Sequence, residues 1–136
     1  MVKYIYMKKS IVNSIERIKH GYAIKDEDGK IIAKAEYYEF KMKNFDWVLL
    51  ANVETKPEYR GQGMATKLVN KIYDYVSHTI GKGLYLLVKP DNYKAIKLYK
   101  KLNFTNVKKC TLKDGPYLIM AKGDADRDQI IKMNFR

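Results

Sequence analysis

Arg60-Gly61-Gln62-Gly63-Met64-Ala65 stands between the apolar run Trp47-Val48-Leu49-Leu50-Ala51 and a helical pattern in which Met64, Leu68, Ile72, Val76 and Ile80 recur every four residues. The run reads as a strand over about 46–55 buried on both faces, and the pattern as an amphipathic helix over 63–80 that Gly81 and Gly83 end. A strand that turns into a helix through glycines crowds backbone N–H groups at the positive end of the helix dipole. Arg60 adds a fixed cation. The pattern therefore predicts an anion site, although a glycine-rich connection that only turns the chain is also consistent with it. The dinucleotide fingerprint fails, because Thr66 occupies the place of its third glycine, and no Walker A sequence occurs.

Working outward, Leu84-Tyr85-Leu86-Leu87-Val88 reads as a buried strand that stops at Pro90, and 91–102 as a second amphipathic helix. Residues 104–111 and 117–121 read as strands joined by Lys113-Asp114-Gly115-Pro116. Upstream, residues 22–26 and 30–42 read as strands joined by Asp26-Glu27-Asp28-Gly29, a hairpin-type turn. Residues 3–7 read as a short strand. Ser10 caps an expected helix carrying Ile11, Ile15 and Ile18 and stopped by Gly21. The expected fold is α/β: a mixed, largely antiparallel central sheet with helices on both faces. The 136 residues suit one domain, with no repeat or linker.

On the second helix, Asn92, then Ala95 and Ile96, then Tyr99, then Asn103 succeed one another at steps of three or four and share one stripe, followed by Phe104. With the glycine turn, this order and spacing resemble the GNAT superfamily of N-acetyltransferases, over roughly residues 46–121. In that pattern Gln or Arg is followed by two free positions, Gly, one free position, and Gly or Ala; Arg60, Gly63 and Ala65 meet it. The resemblance implies acetyl-CoA as co-substrate, with its pyrophosphate on Arg60, Gly61, Gln62, Gly63, Met64 and Ala65. It further implies that Asn92 helps hold the pantetheine arm and that Tyr99 protonates the departing thiolate. Main-chain N–H groups near Val53 to Thr55, Val53 and Thr55 foremost, would steady the thioester oxygen. Asn103-Phe104 stands where Gly-Phe is usual, a mild change because Asn tolerates a left-handed helix end.

The general base is unassigned. Leu49 and Ala51, at the matching inward positions, are apolar, and Glu54 has the opposite parity. Glu36 and Glu39 are candidates that read equally as solvated sheet charges. His20 and His78 fall near expected helix ends. Asp124, Asp126 and Asp128 alternate like the opening of a calcium loop, but Gln129 and Phe135 replace its required Gly and Glu, so no metal is expected. Cys110, the single cysteine, excludes an internal disulfide, fits a reducing compartment, and reads as a small core residue.

The net charge is +12 with a pI near 9.6, nearly all of it from lysine. Such a field attracts nucleic acid, acidic protein surfaces or a phosphorylated cofactor, and it also describes a merely solvated surface. No long apolar run predicts a membrane span, and the N-terminus lacks the length and apolarity of a signal peptide, so a cytoplasmic protein without membrane association is expected. The leading expectation is acetyl transfer from acetyl-CoA to an amine, on an acidic protein or RNA. A homodimer is among the assemblies considered. The alternatives are a non-catalytic acyl-CoA-binding module, and a basic nucleic-acid-binding domain using tyrosines such as Tyr37 and Tyr38.

Overall fold

The computed structural model describes residues 15–134. Among these residues seven strands lie in the order β1-β2-β3-β4-β5-β7-β6. In chain order they are β1 (Ile15–Ile18), β2 (Gly21–Lys25), β3 (Ile31–Tyr38), β4 (Trp47–Thr55), β5 (Gly83–Val88), β6 (Thr105–Leu112) and β7 (Gly115–Lys122). Among the described residues the α-helices are α1 (Met64–Asp74), α2 (Tyr93–Lys101) and a short α3 (Asp128–Ile131). β4 and β5 pair in parallel, whereas β1–β2, β2–β3, β5–β7 and β6–β7 are antiparallel. The expected mixed, largely antiparallel sheet with helices is what the chain forms. Its residues gather into two compact units, 15–37 with Asn52–Ile72, and Tyr38–Ala51 with 73–134.

In the first unit the sequence reading needs one correction. The helix expected to run through Ile15 and Ile18 is, over its described residues, strand β1, paired Ile15↔Ile24 to Ile18↔Gly21 across a tight turn. The remainder of that helix, and the strand expected over 3–7, lie outside the described residues. Apolar residues three apart follow the helical period and not the alternation of a strand, so here cross-strand pairing overrides the local pattern. His20 consequently sits in a β-turn rather than at a helix end. Gly21 is required because any Cβ there would run into the Ala35 carbonyl of β3. The Asp26 hairpin forms as read: its Oδ1 accepts from the N–H of Asp28 and of Lys30, each at 2.9 Å. Ala23, Ile24, Ile32, Ala35, Leu68 and Ile72 are almost wholly buried and form this unit's core.

In the second unit β3 gives out at Tyr38, four residues short of the expected end at 42. Alternating Phe40-Lys41-Met42-Lys43 mimics a strand, but Phe40 and Met42 are exposed and the Met42 N–H closes a local turn onto the Phe40 carbonyl, 2.8 Å. Phe45, Trp47, Tyr85, Ile119, Ala121 and Ile130 make the core. Trp47 donates its Nε1–H to the Asp126 carbonyl (2.8 Å), and Gly83 faces it because a side chain would strike the indole ring. The expected long helix changes character after Asp74: Tyr75–Ile80 is π-helical and ends at Gly81, φ 77°. The Asp74 carbonyl accepts from the Ser77 hydroxyl (3.4 Å) and lies 3.0 Å from His78 Nδ1, so side chains compete for the acceptor an α-turn would use.

The aspartate run resolves into structure. Asp126 Oδ1 accepts from the Asp128 N–H at the start of α3, and Asp46 and Gln129 exchange two hydrogen bonds of 2.8 Å. Arg127 donates to the carbonyls of Gly123 (3.0 Å) and Ala121 (3.3 Å). Cys110 is half-buried against the core, and burial raises its thiol pKa, opposed by Lys108.

Candidate active site

In the first unit, the predicted anion turn is assembled by backbone conformation. Pro57–Tyr59 forms a single 3-10 turn, with Pro57 where an N–H would be unpaired anyway. Gly61 and Gly63 then take φ of 79° and 76°, a left-handed region costly to any residue with a Cβ. At both, the space a Cβ would fill holds no atom within 4 Å, so the main chain is open to close approach. The Gly63 carbonyl accepts the first helical bond from the Lys67 N–H (3.1 Å). The N–H groups of Met64, Ala65 and Thr66 therefore have no acceptor within the helix. Met64 is buried and anchors α1, whereas Gly61 and Gly63 are exposed and Gln62 and Ala65 half-buried.

Arg60 is tied back rather than loose: its Nε donates to the Thr55 carbonyl at the end of β4, 3.1 Å. Its two terminal nitrogens have no acceptor among the described residues. A cation, two open glycines and unpaired helix-start amides suit the doubly charged pyrophosphate of a coenzyme A ester. Val53 and Thr55, both half-buried, alternate with exposed Asn52 and Glu54. Asn52 was not singled out in the sequence. Its φ is 53° in the middle of β4, and its Nδ2 donates to Glu36 Oε1 at 2.6 Å. A lone Asn after five apolar residues was the available signal, since Asn accepts left-handed backbone readily.

In the second unit, Asn92 is the N-cap of α2, and its Oδ1 accepts from the Ala95 N–H at 3.2 Å. That bond occupies one face of the amide oxygen and leaves the Nδ2 donors uncommitted among the described residues. Tyr99 is buried, its ring set edge-on to Phe104 at 5.6 Å between centroids. Burial alone pushes its hydroxyl up to about 12, so it stays protonated throughout the neutral range. The helix closes at Asn103 with φ 71°, the left-handed end expected there. Of the candidate bases, Glu36 holds Asn52, Glu39 pairs with Lys82 (3.0 Å), and Glu54 faces Lys34 at 3.9 Å.

A polar cluster that the sequence did not suggest joins residues 25 apart: Lys89 Nζ lies 3.3 Å from Asp114 Oδ2, which also accepts from the Tyr117 hydroxyl at 2.6 Å. The Tyr117 hydrogen bond, helped by Lys89 against desolvation, holds the Asp114 carboxyl below its ordinary range. No local pattern could have announced it. Among the described residues no three His, Cys, Asp or Glu side chains converge to hold a metal, and no helix is long and apolar enough to cross a membrane.

Residues 4–104 match the model of the acetyltransferase (GNAT) family. A 50-residue stretch is 42% identical to the spermidine N(1)-acetyltransferase of Escherichia coli K12, covering 36% of this chain and 27% of that protein. The chain thus matches about a quarter of the length of that relative. Among solved structures, an N-acetyltransferase from Staphylococcus aureus Mu50 superposes with TM-score 0.66 at 20% identity, over 76% of this chain and 70% of that one. The ribosomal-protein-S18-alanine N-acetyltransferase of Escherichia coli gives TM-score 0.62 at 23% identity, over 89% of this chain and 75% of that one. These two likenesses establish the fold.

Proposed function

Because the chain belongs to the acetyltransferase (GNAT) family, we propose that it transfers an acetyl group from acetyl-CoA directly to the amine of an acceptor. The observation that carries this reading is the open turn at the start of α1, where Arg60, Gly61 and Gly63 leave backbone donors for a pyrophosphate. The amine attacks as its neutral form. Its nitrogen bonds to the thioester carbon, and the carbonyl oxygen becomes an oxyanion steadied by the N–H groups of Val53 and Thr55. The carbon–sulfur bond then breaks. Tyr99 gives its proton to the thiolate, and the proton lost by the nitrogen passes to water. Asn92 contributes Nδ2 to the pantetheine arm while its oxygen caps α2.

The same reading takes the chain as one functional domain, working in the cytoplasm. For the acceptor, the net charge of +12 favours an amine carried on an acidic protein or on RNA over a free polycation, which the field repels. The short likeness to a spermidine acetyltransferase makes spermidine the comparison to run. Coenzyme A release would be measured with spermidine, an acidic peptide bearing a free amine, and an aminoacylated RNA across a salt series. The expected result is release with the anionic acceptors, at rates that fall as salt shortens the screening length to about 8 Å. Efficient, salt-insensitive acetylation of spermidine would overturn the acceptor assignment. Tight acetyl-CoA binding without release for any amine would favour a non-catalytic acyl-CoA-binding module.

A further inference from the structure

Elsewhere among the described residues the lysines are dispersed over strands, loops and turns, and seven of them are met by a carboxylate, a tyrosine ring or carbonyls. Lys25, Lys34, Lys82 and Lys89 pair with carboxylates, Lys71 and Lys122 lie over tyrosine rings, and Lys108 donates to two carbonyls. Helix α2 instead gathers four of them on one face. Lys94, Lys97, Lys100 and Lys101 are all exposed, and none has a carboxylate partner among the described residues. The helix contains no acidic residue. Its inward stripe, Ile96, Tyr99 and Leu102, is half-buried to buried, so the lysines share the outward face, spaced three, four and seven apart.

Helix stability does not account for this charge. Lys100 and Lys101 in the last turn complement the helix dipole, but Lys94 sits in the first turn, where the positive pole repels it. Tyr93 opens the same surface and is 77% exposed, more than any other large apolar side chain described. Tyr37 and Tyr38, by contrast, are half-buried.

We propose that the outward face of α2, with Tyr93 at its head, is a docking surface for single-stranded nucleic acid. The seven-residue span from Lys94 to Lys101 rises about 10 Å along the axis, enough to follow several phosphates of one strand. Lysine ammonium groups make phosphate contacts without reading sequence, and an exposed aromatic ring offers a stacking platform for any base. A membrane fits less well, since the face offers no apolar residue besides Tyr93 to insert. The surface needs no acetyl transfer, so its test can fail while the reading above stands, and the reverse.

The probe is a fluorescently labelled oligouridylate of 20 nucleotides, its anisotropy titrated from low to physiological salt. Three proteins are compared with the parent: the quadruple variant K94Q/K97Q/K100Q/K101Q, the single variant Tyr93→Ala, and a control, K30Q/K41Q/K43Q/K132Q, that removes the same charge from other exposed sites. Circular dichroism confirms that each is folded. The α2 quadruple variant should bind at least about tenfold more weakly and flatten the slope of log K against log salt by about 3. Tyr93→Ala should weaken binding about fivefold or more with the slope unchanged, the signature of lost stacking. The control should change affinity by less than about threefold. Failure of the parent to bind, or equal losses in both quadruple variants, would overturn the proposal. So would capture of a polyglutamate peptide but not the oligonucleotide, which would give the surface to acidic proteins. Displacement of the oligonucleotide by stoichiometric coenzyme A would assign the lysines to the co-substrate instead.

Discussion

The 60–65 turn and the end of α2 solve opposite problems. The turn is open: its glycines are exposed, hold positive φ, and have empty space where side chains would be. The helix end is packed, with Tyr99 and Phe104 buried edge to face and Leu102 buried as well. One region offers backbone, the other a side chain held by its neighbours. Substitutions should therefore separate ligand binding from stability in the turn and entangle catalysis with stability at the helix end.

The sharpest break of that contrast is at Tyr99. Tyr99→Ala should destabilise the protein by about 3–5 kcal/mol, the range for removing a large buried aromatic. Tyr99→Phe keeps the ring against Phe104, so its melting temperature should stay within a few degrees of the parent while turnover falls about a hundredfold. Unchanged turnover would move the proton donor to water. A large loss of stability in Tyr99→Phe would mean that the hydroxyl, not the ring, holds the helix end.

Alkaline pH should find the packed side alone. Burial raises Tyr85 and Tyr99 to about 12 from an ordinary value of 10. A folded pKa above the unfolded one contributes stability that is complete below pH 10 and lost as pH rises through about 12. Each residue should account for at most about 3 kcal/mol of that loss. Denaturant melts between pH 9 and 12 would show it. Tyr99→Phe should remove about half, whereas a substitution in the 60–65 turn should leave the slope intact.

In the turn, Gly63→Val forces a β-branched residue into left-handed backbone, an expense of about 1–2 kcal/mol with no steric clash to add to it. Its apo protein should still fold. The rise in melting temperature that acetyl-CoA gives the parent by mass action should disappear, because the side chain would fill the approach to the helix-start amides. A normal ligand shift in this variant would remove the pyrophosphate from the turn.

Much of this was legible because it depends on local chemistry. Glycine spacing marks the turn and the end of the long helix, unbroken apolar runs mark β4 and β5, and Asp26 and Asn103 carry their backbone conformations with them. Illegible features arise where distant residues meet. Ile15 and Ile18 fit a helix until β2 pairs with them, Gly83 looks like a helix breaker until Trp47 needs its space, and Asp46 finds Gln129 83 residues later. Within the candidate site the motif residues could be named, but the Asn52–Glu36 bond could not, because it depends on the register between two strands.

The smallest effect tests whether the two regions share anything at all. Asn103 ends α2 with φ 71°, as Gly61 and Gly63 shape the turn with φ of 79° and 76°. At Asn103 the left-handed backbone carries a Cβ and an amide, so Asn103→Gly relieves the conformational strain but adds unfolded-state entropy. These nearly cancel, and the variant should differ from the parent by less than about 1 kcal/mol in chemical denaturation. Asn103→Val, which cannot adopt this backbone comfortably, should be destabilised by about as much as Gly63→Val, yet keep its acetyl-CoA shift. Equal stability losses with opposite ligand responses would show that the same backbone device is structural at the helix end and receptive in the turn. Loss of the ligand shift in Asn103→Val would instead make the conformation of the helix end part of acetyl-CoA binding, and the contrast between the two regions would fall.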